Sequence, residues 1–101
     1  MYRYSLFACG SAGDILVLSC NGLTPNACYK QLADAARHAA LGAASMGHAA
    51  ILELRYDQDR DGLQPWDLVV RWSSDEAVQL VPETVEAARM RWLDEQSGEA
   101  E

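Results

Sequence analysis

Six consecutive residues hold the densest chemistry in the chain: Asp57-Gln58-Asp59-Arg60-Asp61-Gly62. Carboxylates at alternate positions followed by glycine are the donors a loop needs to close on a hard divalent cation. Side-chain oxygens at loop positions 1, 3 and 5 face the ion, and glycine at position 6 permits the sharp turn. Asp57, Asp59 and Asp61 would supply at least three oxygens, and the Leu63 carbonyl a fourth.

This stretch resembles the opening of an EF-hand loop, and the resemblance implies calcium as the ion. Beyond Gly62 the pattern departs. Position 9 is Pro65, and position 12, where a bidentate Glu completes the cage, is Leu68; Asp67 stands one residue short. The flanking segments also read as strands rather than helices. Losing the closing carboxylate removes two oxygens and leaves affinity no tighter than roughly millimolar. The expectation is a metal-free loop that displays carboxylates, with a calcium-binding module as the alternative function and no other cofactor.

The remaining reactive residues form no constellation. Cys9, Cys20 and Cys28 contain no CxxC, and His38 and His48 lie ten apart, which is not a zinc spacing. All three cysteines are expected as reduced thiols, mainly buried. Asp34 and His38 share a helix face, where a carboxylate orients an imidazole in hydrolytic triads. Cys28 belongs to the core stripe of the same helix, so an ordinary i,i+4 surface pair is the simpler reading. The chain contains no G-x-S-x-G, P-loop or H-E-x-x-H. The expectation is a protein that is not an enzyme.

Charge is distributed unevenly. The formal net charge is −7. Residues 57–101 carry twelve acids against Arg60, Arg71, Arg89 and Arg91, whereas residues 1–56 are close to neutral. A nucleic-acid binder needs a basic stripe to displace phosphate counterions, and this chain has none. Acidic surface steers instead toward a basic protein surface, although charge of this size also serves solubility. The longest purely aliphatic run, Ile15 to Leu18, is far short of the roughly 20 residues of a membrane span, and Met1 to Ser5 does not open a secretory signal. A cytoplasmic location is expected.

The elements that must position these residues are set by periodicity. Tyr2 to Cys9 alternates, a strand pattern, and Gly10 to Gly13 is a turn. Asp14 to Cys20 is more uniformly apolar, as in a strand covered on both sides. Thr24-Pro25 starts a helix, with Thr as N-cap and Pro in the first position. Its alanine-rich stripe runs from Cys28 to Met46, and Gly47 stops it. Ala49 to Tyr56 and Trp66 to Trp72 form a hairpin. Pairing Tyr56 with Trp66 and Leu54 with Leu68 matches their apolar faces and sets Arg55 opposite Asp67. Phe7, Ile51 and Val69 then occupy the second face of the sheet, a surface that a homodimer would bury. Ser73 to Glu76 reads as a turn and Ala77 to Val81 as a fifth strand. Pro82 begins a last helix with Val85, Ala88 and Trp92 on its apolar stripe.

The resulting fold class is α+β, a two-layer sandwich with an antiparallel sheet of four or five strands and two helices in the order ββαββ(β)α. Residues 1–96 make a single domain and residues 97–101 an acidic tail. The function expected is a small, acidic, non-enzymatic protein-binding domain. Such a domain acts as an inhibitor or adaptor on a basic surface of another protein, as phage-encoded anti-CRISPR-like inhibitors and immunity proteins do. The residues expected to meet the partner are Asp57, Asp59, Asp61, Asp75, Glu76 and Trp92.

Overall fold

The computed structural model describes residues 2–56 and 67–99, the last two through their backbone alone. Four strands, β1 (Tyr2–Gly10), β2 (Gly13–Gly22), β3 (Ile51–Tyr56) and β4 (Asp67–Ser73), form one antiparallel sheet in the order β2-β1-β3-β4. Three helices, α1 (Pro25–Ser45), α2 (Ser74–Val78) and α3 (Val85–Glu99), accompany them among the described residues. The order is therefore ββαββαα, a two-layer α+β sandwich with its core between helices and sheet.

Core rows run straight across the sheet. Leu6 pairs with Leu54, and Leu54 with Val70; beside them Ala8 pairs with Leu52, and Leu52 with Trp72. From the helical side Cys28, Tyr29, Leu32, Ala33, Ala36 and Ala40 of α1 are buried against these rows. Fully burying each leucine or valine contributes about 1.5–3 kcal/mol. Aromatic pairs extend the rows, with ring centroids 4.9 Å apart for Tyr4–Tyr56 and 6.4 Å for Tyr29–Trp72.

Local chemistry fixes α1 at both ends. The Thr24 hydroxyl accepts a hydrogen bond from the Ala27 N–H at 3.2 Å, and Pro25 occupies the first turn. Gly47, with φ +76°, ends the helix in a left-handed conformation, and the His48 N–H returns to the Ala43 carbonyl at 2.9 Å. Gly22 lets the start of α1 press onto β2. A Cβ there would lie 2.8 Å from the Cys28 sulfur.

Four expectations need correction. Ser73 to Val81 is not a turn followed by a strand. The Ser73 hydroxyl accepts from the Glu76 N–H while the Glu76 carboxylate accepts from the Ser73 N–H, both at 3.2 Å. This capping box starts α2, whose Ala77 is buried. The last helix begins at Val85 rather than Pro82, because Thr84 supplies its cap. The Thr84 hydroxyl takes the Ala87 N–H at 3.1 Å, and the Asn26 side-chain oxygen takes the Val85 N–H at 2.9 Å. The helix then continues through Glu99, into the segment read as the acidic tail.

The other two corrections concern the register of β4 and the place of β2 in the sheet. Leu54 pairs with Val70 and Arg55 with Leu68, so Val69 is the extra residue of a β-bulge. The bulge reverses the alternation: Leu68 moves to the outer face, and Val69, only 4% exposed, joins the core. The expected Arg55–Asp67 pair gives way to Glu53 opposite Arg71. The expected partner of Tyr56, Trp66, lies outside the described residues. Finally, β2 is an edge strand rather than one covered on both sides. β1 takes the interior position because β3 pairs along its other side. Ile15 is 69% exposed, Leu16 54% and Leu18 40%. A second bulge, at Val17, lies between the Leu6–Leu18 and Phe7–Leu16 pairs.

Candidate functional site

Two polar arrangements stand out, one on the outer face of the sheet and one beside α2 and α3. On the outer face, register places Leu16, Phe7, Glu53 and Arg71 in one row. Glu53 is only 7% exposed although it faces away from the described helices, because two guanidiniums cover it. Its carboxylate accepts from Arg55 Nε at 3.0 Å and Nη2 at 2.6 Å through one oxygen, and from Arg71 Nε at 2.7 Å through the other. Arg55 Nη2 also donates to Asp14 at 2.6 Å and approaches the Cys9 sulfur at 3.5 Å. The Arg55 guanidinium lies 4.2 Å from the centre of the Phe7 ring, a cation–π contact.

The electrostatics agree with that geometry. Burial pushes the Glu53 carboxyl up, and the hydrogen bonds from Arg55 and Arg71 outweigh it, so its pKa lies below the ordinary value. The hydrogen bond from Arg55 holds Asp14 below its ordinary value as well. Burial, with Asp14 nearby, pushes the Cys9 thiol up to about 11. Hydrogen-bonded in this way, the network ties β2, β3 and β4 together across the outer face of the sheet. The sequence reading set Arg55 opposite Asp67 and did not bring Arg55 and Arg71 to the single carboxylate of Glu53.

The second arrangement is a cleft of about 340 Å3 between β4, α2 and α3. Trp72 and Leu80 form its apolar floor together with Trp92, which is half-buried on α3. Glu76, Glu83 and Glu95 surround it, with Arg71 and Arg91. Arg91 is ion-paired to Glu83. Helical spacing explains the placement: Ala88, Arg91, Trp92 and Glu95 recur three and four residues apart on one face of α3.

The structure brings together some of the residues expected to meet a partner. Glu76 and Trp92 line the same cleft, and Asp75 is exposed in the first turn of α2. Glu76 is partly committed to the Ser73 cap. Asp57, Asp59, Asp61 and Leu63, and with them the calcium alternative, lie outside the described residues. Glu83, Glu86, Asp94 and Glu95 add to the acidic surface of the α2–α3 segment, and the sequence reading singled out none of them as a site residue.

Hydrolytic machinery does not assemble among the described residues. His38 and Asp34 approach to 3.5 Å on the solvent side of α1, whereas Cys28 is buried with its sulfur directed at the Tyr2 and Cys20 carbonyls. Burial, with Cys20 adjacent, raises the Cys28 thiol to about 11, so it stays protonated and is a poor nucleophile. Among the described residues the buried Tyr29 hydroxyl has no hydrogen-bond partner, and burial raises its pKa to about 12. No group of three or more His, Cys, Asp or Glu among the described residues is placed to hold a metal ion. No described helix is long and apolar enough to cross a membrane. No protein-family model matches this chain, and neither does any curated protein or solved structure.

Proposed function

We propose that this chain is a non-enzymatic protein-binding domain, an inhibitor or adaptor, that docks on a basic surface of a partner protein through its acidic second half. The observation that carries the reading is the surface of α2 and α3. Asp75, Glu86, Asp94 and Glu95 are exposed on these helices, and Glu76, Glu83 and Glu95 line a cleft together with Trp92. Carboxylates of this density steer a basic partner and accelerate encounter. A half-buried tryptophan in a groove is the kind of anchor that then holds a complex together. Met90 and Leu93, also exposed on α3, add apolar contact area beside the charges. Asp57, Asp59 and Asp61 extend the acidic character along the chain.

A cytoplasmic setting fits the three free cysteines. Phage-encoded inhibitors of nuclease complexes and toxin-neutralising immunity proteins are the kinds of protein whose size and charge this chain shares. The test is capture of a partner from the native host on immobilised protein, read by mass spectrometry, at low and at high salt. The proposal expects a basic protein retained at low salt, released as salt shortens the Debye length toward about 3 Å, and lost in an Asp75→Asn/Glu86→Gln/Glu95→Gln variant. Retention insensitive to both salt and substitution would refute it.

A further inference from the structure

We infer that the free edge of β2 is a self-association surface, and that a second copy of this chain pairs with it across a two-fold axis to make one continuous eight-stranded sheet. The inference is independent of the proposed function, because it concerns the opposite end of the molecule.

An edge strand presents backbone N–H and C=O groups with no partner in the sheet, and proteins ordinarily blunt it with lysine, proline, a short strand or a cover. β2 has ten residues, and between Asp14 and Gly22 it carries neither charge nor proline. Its centre is the exposed run Ile15 to Leu18. The bulge at Val17 is its one protective feature, and it leaves that apolar run intact. Beside the edge lies a groove of about 540 Å3, walled by Val17 and Leu18 on one side and on the other by Ala35 and Ala39 of α1 with the polar Gln31, Asp34 and His38. Alanines there let a symmetry-related α1 approach closely as the two strands pair.

Area and charge select the occupant. Ten residues at about 3.4 Å each give an edge about 34 Å long. With one helix layer on the sheet the edge is roughly 20 Å deep, so it offers on the order of 700 Å2 per copy. A standard stable interface takes about 800 Å2 from each partner. Charge gives a basic partner little here, since Asp14 pairs with Arg55 at 2.6 Å and Asp34, the groove's own carboxylate, faces His38 at 3.5 Å. A second copy, by contrast, brings an identical apolar strand. The described acids of the second half lie on β4, α2 and α3, at the other edge of the sheet. In an eight-stranded dimer the two acidic ends stand roughly 30 Å apart, several times the Debye length of about 8 Å at physiological salt. Self-repulsion of a −7 chain therefore does not oppose this arrangement.

The test is sedimentation equilibrium of the full chain from low micromolar to several hundred micromolar. Wild type is compared with Val17→Lys, with Ile15→Lys and with Leu93→Lys on α3 as a control, each checked for folding by circular dichroism. The expected result is a mass that rises from 11.1 kDa to twice that value and no further. Placing two ammonium groups near the axis should weaken association at least about tenfold, and Leu93→Lys should dimerise like wild type. Ile15→Lys, at the more exposed position, keeps the test open if Val17→Lys fails to fold. Amide exchange in β2 should slow with concentration while that in β4 does not. A monomer mass throughout, a dimer indifferent to both β2 substitutions, or growth beyond two copies would overturn the inference.

Discussion

The two edges of the sheet differ in kind. At the β4 edge the chain supplies a capping box, two short connections and two helices, so Trp72 and Val70 are buried and the exposed surface is acidic. At the β2 edge α1 covers the strand incompletely, and Ile15 to Leu18 meet solvent with no charge among them. Both segments are apolar in sequence, so hydrophobicity does not separate them. Their successors in the chain do. β4 leads directly into two helices that fold over it, whereas the single helix after β2 is shared between β2 and β1. One edge is covered by helices and acidic; the other is exposed and apolar.

Core truncation gives the largest expected difference between the edges. Trp72→Ala removes a ring packed on Tyr29 and should destabilise the fold by about 3–5 kcal/mol. Leu16→Ala, at a position more than half exposed, should cost no more than about 1 kcal/mol in the dilute protein. Chemical denaturation of both variants measures this. Equal costs would mean that β2 is covered after all.

Much of the scaffold was legible in the sequence because single residues mark it. Thr24-Pro25 and Gly47 delimited α1, and strict alternation located β1 and β3. Two kinds of feature were hidden. The bulges at Val17 and Val69 insert one residue without any glycine or proline to announce it, and each flips the faces of its neighbours. Period-2 reasoning therefore set Val69 outside and Leu68 inside, the reverse of the observed arrangement. Ser73 and Glu76 spell a capping box, but the apolar residues up to Val81 imitate a strand, and the cap wins because it satisfies two orphan N–H groups at once. At the candidate site Asp75, Glu76 and Trp92 were legible as surface acids and an aromatic near them. The Glu53 cluster was not, since Asp14, the Glu53–Arg55 pair and Arg71 come from three different strands.

The face between the two edges gives the next prediction, of intermediate size. Glu53→Gln leaves Arg55 and Arg71 without their shared carboxylate and should destabilise by about 2 kcal/mol at neutral pH, reduced from a fully buried pair because Arg71 is half exposed. The folded-state pKa of Glu53 is lowered from 4.5, so its stabilisation is fully present above that value and is lost as pH falls through the folded pKa. The gap between wild type and Glu53→Gln should accordingly be constant from neutral pH to about 5 and narrow below about 4.5. Denaturation midpoints measured across that range check the sign. A gap that widens on acidification would mean the arginines do not hold the carboxylate.

The central claim is that the acidic end docks by charge, and association kinetics test it most directly. Stopped-flow mixing of the captured partner with wild type and with Asp75→Asn/Glu86→Gln/Glu95→Gln, over a range of salt concentrations, separates steering from contact. These substitutions are exposed and should change stability by no more than about 0.5 kcal/mol. The account predicts a wild-type association rate that falls steeply with salt, a variant about tenfold slower at low salt, and dissociation rates that barely differ. Identical association rates with no salt dependence in either protein would contradict it.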